Sequence, residues 1–222
     1  MINIAIDGHA GSGKSVLARG IAERLNYRVL NTGALYRAMA CAYRESGLKG
    51  VDNDKINQFI ENINISVKFI DDVQHVFVNG KDYTPHLREE EISILSSEIS
   101  PYQQLRDKVV DLQRDFAIYN NCVMEGRDIA TNVLPNAQIK IFLTASPEKR
   151  AMRRYLEMKD KGNITFEQVL SDLKERDYRD EHRAVAPLVP AKDSIILDNG
   201  DLTLEGTIDK AIELINAKLQ KK

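Results

Sequence analysis

The segment Gly8-His-Ala-Gly-Ser-Gly-Lys-Ser15 matches the pattern G-x-x-x-x-G-K-[ST] at every fixed position. It follows the apolar run Ile2–Ile6, which predicts a buried strand, and it opens the stretch Ser15–Leu25, where apolar residues recur at helical spacing. Glycines let backbone N–H groups turn inward, and the helix that follows presents unpaired N–H groups and the positive end of its dipole. The sequence therefore predicts a phosphate-binding loop between a strand and a helix.

The residue types in this loop predict how it would hold a nucleoside triphosphate. Lys14 is expected to reach the β- and γ-phosphates, and the Ser15 hydroxyl to ligate Mg²⁺. We expect His9 to contribute mainly its backbone amide, since a residue in mid-loop is poorly placed to act as a general base. The predicted ATP-binding residues are Gly8, His9, Ala10, Gly11, Ser12, Gly13, Lys14 and Ser15.

Strand-like and helix-like segments alternate along the chain, which indicates an α/β fold with a parallel sheet between helices. Further strands are predicted at Tyr27–Leu30, Cys122–Met124, Ile139–Leu143 and Ser194–Leu197, and helices at Pro147–Lys159 and Leu204–Leu219. We expect a single domain of this class.

One stretch breaks the alternation and predicts a small antiparallel insertion at about residues 63–88. Ile65–Phe69 and Val76–Val78 alternate at period two, and Asn79-Gly80 favours a tight hairpin turn. A polar helical stretch follows from near Glu89 to Tyr119, interrupted by Pro101.

Composition limits the classes of protein that remain. The chain has 222 residues and a formal net charge of −2, which argues against a general nucleic-acid-binding surface. Its apolar runs are far shorter than the ~18 residues that would span a bilayer. We read no secretory signal at the N-terminus, so we expect a cytoplasmic protein. Cys41 and Cys122 lie in apolar contexts without metal-ligand spacing, which predicts buried, reduced thiols.

GTPases, ATPases and kinases share this type of loop, so other motifs must decide between them. The sequence lacks the Asn-Lys-x-Asp motif that reads guanine, and it has no Asp-x-x-Gly in the region where a switch GTPase needs one. Two other motifs stand directly after predicted strands: Asn31-Thr-Gly-Ala-Leu-Tyr-Arg37 and Glu125-Gly-Arg-Asp-Ile-Ala-Thr131. Because ligands bind beyond the carboxyl ends of parallel strands, Arg37, Arg127 and Asp128 are expected near the phosphate loop.

Several longer segments resemble the bacterial cytidylate kinase family, and the resemblance covers almost the whole chain. They are Ile4-Ala-Ile-Asp-Gly through Ser15, Thr32-Gly-Ala-Leu-Tyr-Arg37, Gly126-Arg-Asp128, Lys140-Ile-Phe-Leu-Thr-Ala-Ser-Pro147 and Glu175-Arg-Asp-Tyr-Arg-Asp-Glu-His-Arg-Ala-Val-Ala-Pro-Leu188. The resemblance implies a monomeric P-loop kinase that transfers the γ-phosphoryl group of Mg·ATP to CMP and dCMP, without nucleic-acid or membrane partners.

It also implies a division of the chain. The core would comprise residues 1–37, 119–149 and 184–222, and the nucleoside-monophosphate-binding region residues 38–118. A small helical lid would lie at residues 150–163, followed by a lid-linked helix at residues 164–183.

By the same resemblance, four residues would be catalytic: Lys14, Arg127, Arg176 and Arg183. The acceptor phosphate would be held by Arg37, Arg127 and Arg183, the sugar by Arg176 and Asp180, and the cytosine by Ser97, Arg106 and Asp128, with Thr32 completing the CMP-binding set. A carboxylate suits the exocyclic amine of cytosine, whereas uracil would leave Asp128 facing a carbonyl. Glu125 would orient Mg²⁺ through water.

The chain departs from the family pattern at three positions: it has His9, Asn31 and Glu125 where relatives commonly have Pro, Asp and Asp. The changes at Asn31 and Glu125 leave open a nucleotide-binding regulatory protein without turnover. The other alternative is a UMP, shikimate or dephospho-coenzyme A kinase, which the antiparallel insertion and Asp128 disfavour. The arginines also allow a structural interpretation. Arg150, Arg153 and Arg154 could pair with Glu148, Glu157 and Asp160 on one helix face, and the charged residues from Arg176 to Arg183 could pair among themselves.

Overall fold

The computed structural model describes residues 1–159 and 164–220. In chain order the strands are β1 (Asn3–Gly8), β2 (Arg28–Asn31), β3 (Ile65–Ile70), β4 (Val73–Val78), β5 (Lys81–Asp82), β6 (Cys122–Gly126), β7 (Ile139–Thr144) and β8 (Ile195–Asp198). The α-helices are α1 (Lys14–Leu25), α2 (Thr32–Glu45), α3 (Asn53–Glu61), α4 (Glu90–Ile99), α5 (Gln103–Tyr119), α6 (Pro147–Met158), α7 (Phe166–His182) and α8 (Leu204–Leu219). The chain forms two compact units, Met1–Val29 with Asn120–Lys222, and Leu30–Tyr119.

The first unit is built on a parallel sheet with strand order β2-β6-β1-β7-β8. Strand β1 lies at its centre, where Asn3–Asp7 pair with Cys122–Gly126 and Ile4–Gly8 pair with Ile139–Leu143. Ile4 and Ile6 are fully buried and pack in one core cluster with side chains of α1 and α8. A sheet buried in this way brings the carboxyl ends of β1, β6, β7 and β8 to one edge.

The second unit contains a three-stranded antiparallel sheet, β3-β4-β5, and its own core. The predicted antiparallel insertion is therefore confirmed. Asn79 and Gly80 turn the chain from β4 into β5, both at positive φ. The turn between β3 and β4 was not predicted. Asp71 and Asp72 form it at φ values of 49° and 59°, a conformation that aspartate tolerates better than most residues do.

The predicted α/β class is confirmed. Each predicted strand and helix of the sheet-forming parts occurs within two residues of the expected bounds, and the polar stretch after Glu89 forms two helices that Pro101 separates. Among the described residues, no helix has both the length and the apolar character needed to cross a membrane.

A buried ion pair holds the phosphate loop against two helices of the first unit. Arg150 of α6 is 2% exposed; its Nη1 donates to Asp177 Oδ2 at 2.6 Å and to the Ala10 carbonyl at 2.9 Å, and its Nε donates to the Ala145 carbonyl at 2.9 Å. Asp177 of α7 in turn accepts the Ala10 N–H at 3.3 Å. The alternative in which Arg150 pairs along its own helix face is wrong, because its guanidinium points into the protein.

A glycine at the start of the loop permits its close approach to the sheet. A Cβ atom on Gly8 would collide with the carbonyl oxygen of Leu143 on β7. Any other residue at this position would separate the two strands or displace the loop. The glycine pattern thus reflects backbone packing as well as phosphate binding.

We predict that Arg150→Ala lowers the free energy of unfolding by about 3–5 kcal/mol, because it leaves the Asp177 carboxylate buried without its cation. Arg154→Ala on the same helix is the matched control. Arg154 lies 3.6 Å from Glu157, and its side chain is 55% exposed, so the loss should stay below ~1 kcal/mol. Urea unfolding followed by circular dichroism measures both values. Equal, small losses in the two variants would contradict the prediction.

We also predict that both thiols resist alkylation in the folded protein. Cys41 and Cys122 are free and buried, and burial raises their pKa values to about 11 and about 12. Iodoacetamide at pH 8 should therefore modify neither thiol in buffer and both in urea, as measured by mass spectrometry. Rapid modification of either cysteine under native conditions would show that it is accessible.

Candidate active site

The phosphate loop leads directly into α1, as the motif predicts. Gly13 precedes the helix at a φ of 92°, a conformation that favours glycine. Lys14 is buried; its Nζ donates to the His9 carbonyl at 2.7 Å and lies 3.4 Å from Ser12 Oγ. Burial and the nearby Arg127 guanidinium lower the pKa of Lys14 from 10.5 to about 7. Phosphate groups bound beside Lys14 would favour its charged form.

Asn199 anchors the loop from the other side, and the motif analysis missed it. Its Nδ2 donates to the Ser12 carbonyl at 2.9 Å. Arg153 of α6 holds Asn199 through two bonds, to its backbone carbonyl at 2.7 Å and to its Oδ1 at 3.2 Å. Asn199 directly follows β8, so its position at a strand end was the signal that could have identified it.

Ser15 and Glu125 form a pair of oxygen ligands at the ends of α1 and β6. The Ser15 hydroxyl donates to Glu125 Oε1 at 2.6 Å, and Glu125 is 5% exposed. A hydroxyl and a carboxylate are the ligand types that Mg²⁺ prefers, together with water and phosphate oxygens. The two side chains therefore fit a magnesium ion shared with a bound nucleotide.

Two arginines near the end of β6 and α7 are paired with carboxylates. Arg127 Nε donates to Asp180 Oδ2 at 2.7 Å, and Arg183 Nη2 donates to Asp128 Oδ1 at 3.0 Å. Burial opposes ionisation of Asp180, but the guanidinium groups of Arg127, Arg176 and Arg183 hold its pKa below the usual value. The structure thus brings together five of the predicted site residues, which are Arg127, Asp128, Arg176, Asp180 and Arg183.

The idea that the charged residues of α7 pair among themselves applies to few of them. Arg179 approaches Glu175 at 3.9 Å along the exposed helix surface. Asp177 and Asp180 instead bind Arg150 and Arg127, which belong to other segments of the chain. The face of α7 that carries these aspartates is therefore turned toward the phosphate loop and the end of β6.

His9 uses its side chain structurally. Its Nε2 lies 2.6 Å from Glu181 Oε1 of α7, and its ring packs edge-on against Phe142 at a centroid distance of 5.7 Å. Its carbonyl accepts the Lys14 ammonium group. The expectation that His9 is not a general base stays a prediction.

Thr32 and Arg37 lie in α2 of the second unit. Asn31 caps this helix by accepting the Ala34 N–H at 2.8 Å. Gly33 leaves room for an arginine beside the first turn, since a Cβ atom there would lie 2.9 Å from Arg37 Nη1. Thr32 is buried and Arg37 is half-buried.

Ser97 and Arg106 also belong to the second unit. The Ser97 hydroxyl donates to the Ser93 carbonyl of α4 at 3.2 Å. Arg106 of α5 is 2% exposed; its Nη1 donates to the Ser100 carbonyl at 3.3 Å, and its guanidinium lies 5.8 Å from the centre of the Tyr36 ring. The roles of these residues in nucleotide binding remain predictions.

The chain is similar to several known kinases. A shikimate kinase from Bacteroides thetaiotaomicron shares the fold, with a TM-score of 0.52 at 10% identity over 97% of this chain and 98% of that chain. Cytidylate kinases are far more similar in sequence. The protein from Caldicellulosiruptor saccharolyticus is 42% identical, covering 96% of this chain and 95% of the relative. That from Alkaliphilus oremlandii is 41% identical, covering 96% and 97%.

The family model described as cytidylate kinase matches residues 4–217. This match spans both units, including the phosphate loop, the end of β6 and all of α7. The chain therefore belongs to the cytidylate kinase family.

Proposed function

We propose that this protein phosphorylates CMP to CDP with ATP as the donor, and that dCMP is also an acceptor. One observation carries the proposal: Glu125 at the end of β6 binds Ser15 of the phosphate loop at 2.6 Å, and two arginines are held at the same strand end. Arg127 binds Asp180 at 2.7 Å, and Arg183 binds Asp128 at 3.0 Å. Arginines beside a phosphate loop suit two phosphorylated substrates that must meet. Relatives about 40% identical over nearly the full chain are named cytidylate kinases.

On the donor side, the backbone amides of residues 8–15 would hold the β- and γ-phosphates, and Lys14 would lie against the same oxygens. Ser15 and Glu125 would hold Mg²⁺, Ser15 directly and Glu125 through water. When bound, the ion offsets the negative charge on the phosphate oxygens. The burial of Lys14 strengthens its interaction with the transferred group, since less water screens it.

On the acceptor side, Arg37, Arg127 and Arg183 would bind the phosphate of CMP. One oxygen of this phosphate attacks the γ-phosphorus of ATP in line, while the bond to the β–γ bridging oxygen breaks and ADP leaves. The acceptor oxygen is already ionised near neutral pH, so the step needs no strong general base. Arg127 and Arg183 are held by carboxylates beforehand, which reduces the entropy lost when the phosphate binds.

Base recognition would rest on Asp128, Ser97 and Arg106, and sugar recognition on Arg176 and Asp180. Asp128 is 5% exposed, so a ligand group that repels its carboxylate costs free energy. The exocyclic amine of cytosine donates a hydrogen bond, whereas the carbonyl of uracil at that position repels a carboxylate. We therefore propose that CMP is selected over UMP by this contact.

Closure of a lid at residues 150–163 would exclude water and complete the site. Residues 150–158 of this segment lie in α6, and residues 160–163 lie outside the described residues.

The function is tested by an assay that couples ADP release to NADH oxidation, with Mg·ATP and one acceptor at a time. We expect rapid turnover with CMP and dCMP, and a kcat/KM for UMP lower by roughly 10- to 100-fold, the cost of one buried unpaired polar group. AMP and shikimate should give background rates. A protein that binds ATP but turns over no monophosphate would contradict the proposal, and turnover of shikimate would redirect it.

The role of Arg183 is tested by Arg183→Ala. The change removes an acceptor-binding cation and the guanidinium that binds Asp128 at 3.0 Å, so kcat/KM for CMP should fall by roughly 100-fold or more. Arg179→Ala is the matched control, because Arg179 lies on α7 with its side chain 45% exposed. We expect the control to keep kcat and KM within about twofold. Unchanged kinetics for Arg183→Ala would remove Arg183 from the site.

A further inference from the structure

On the basis of the function proposed above, we propose that Asp7 is a positioning residue that fixes the loop 126–133, and with it Arg127 and Asp128, for the acceptor nucleotide. Asp7 stands directly before the phosphate loop, but its carboxylate binds backbone groups of the segment that follows β6. It acts through backbone groups of the neighbouring strand end and does not itself touch the nucleotides.

The contacts of Asp7 are specific. Its Oδ1 accepts the N–H of Ile129 at 2.8 Å, and its Oδ2 accepts the N–H of Ala130 at 2.8 Å. Asp7 is 1% exposed. It belongs to β1, where it pairs with Gly126 of β6, so a short side chain reaches the segment that leaves β6. Both carboxylate oxygens are used, one for each of two successive amides.

These two amides open an unusual turn. Residues Ile129–Val133 form a single π-helical turn, in which Val133 N–H binds the Asp128 carbonyl at 3.2 Å and Leu134 N–H binds the Ile129 carbonyl at 2.7 Å. The first N–H groups of such a turn have no acceptor within it, as in any helix. π-turns are rare and occur often at functional sites.

The first N–H groups of a helix are usually capped by the side chain of the residue before it, which here is Asp128. Its side chain does not cap the turn; it accepts from Arg183 at 3.0 Å and from Asn132 Nδ2 at 3.3 Å. Asp7 therefore replaces Asp128 as the cap. This replacement leaves the Asp128 carboxylate to bind Arg183 and Asn132 instead of the first amides of the turn.

Burial of the Asp7 carboxylate costs free energy. Burial raises its pKa from 3.8 to about 6, and the two backbone N–H groups and Lys14 oppose this rise while Asp128 adds to it. An apolar side chain of similar size would avoid this desolvation cost but would leave two buried N–H groups without acceptors. The carboxylate thus serves the geometry of the turn more than the packing of the core.

The phosphate loop has separate anchors. Asp177 holds the Ala10 amide and Asn199 holds the Ser12 carbonyl. A change at Asp7 should therefore act on the acceptor more than on ATP, although Asp7 is adjacent to the loop in sequence. A residue that merely stabilised β1 would affect both substrates equally.

The test is Asp7→Asn, which keeps the size of the side chain but exchanges one acceptor oxygen for an NH₂ group facing a backbone N–H. We expect KM for CMP to rise by roughly 10- to 100-fold with a lower kcat, because the acceptor groups are misplaced. KM for ATP should stay within about threefold, since the anchors of the phosphate loop remain. Asp209→Asn, which removes one of the two exposed carboxylates that bind Arg24, is the control and should change neither constant.

Three results would overturn the proposal. They are an unchanged KM for CMP in Asp7→Asn, equal increases in both KM values, and rapid hydrogen exchange in the unaltered protein at the amides of Ile129 and Ala130. The exchange experiment, by NMR, needs no variant; we expect these amides to be as protected as those of β6. If the unaltered protein did not phosphorylate CMP, the proposed function would fail, whereas the exchange result would still show whether Asp7 holds the turn.

Discussion

The first unit depends on aspartates that hold cations together. Lysine and arginine side chains gathered to bind two polyanions repel one another and lose hydration when buried. Two aspartates of α7 offset this cost: Asp177 pairs with Arg150 at 2.6 Å, and Asp180 pairs with Arg127 at 2.7 Å. They are three residues apart and so lie on one face of the helix. One helix therefore positions both the phosphate loop and an arginine at the end of β6.

Most of the fold could be predicted because its signals are local. The glycine pattern after an apolar strand identified the phosphate loop, and alternating strands and helices identified the parallel sheet. The antiparallel insertion followed from period-two alternation and from Asn79-Gly80. The turn at Asp71-Asp72 was missed because its sequence lacks the Asn or Gly that usually marks a left-handed turn. Its conformation is the one that a two-residue hairpin between β3 and β4 requires.

The site was less predictable, because the sequence does not show whether a polar side chain faces solvent or the core. The sequence left open that Arg150 pairs with a nearby carboxylate such as Glu148 on one helix face. Its actual partners, Asp177 and the Ala10 carbonyl, are 27 and 140 residues away in sequence. Asp7 and Asn199 were not singled out for the same reason, although both stand at the carboxyl end of a strand. A polar residue at the carboxyl end of a parallel strand is a candidate for the site even where it lies outside a known motif.

The three departures from the family pattern can now be judged by their contacts. Asn31 caps α2 through its Oδ1, which an asparagine does as well as an aspartate. Glu125 has one more methylene group than aspartate, and its Oε1 still lies 2.6 Å from the Ser15 hydroxyl. His9 adds a link from the phosphate loop to Glu181 of α7 that a proline has no side-chain donor or acceptor to make. The first two residues make contacts through a side-chain oxygen, and the third ties the loop to the helix that already holds it through Asp177. None of the three removes a cation or a backbone amide that the transfer of a phosphoryl group requires, and this argues against a protein that binds nucleotides without turnover.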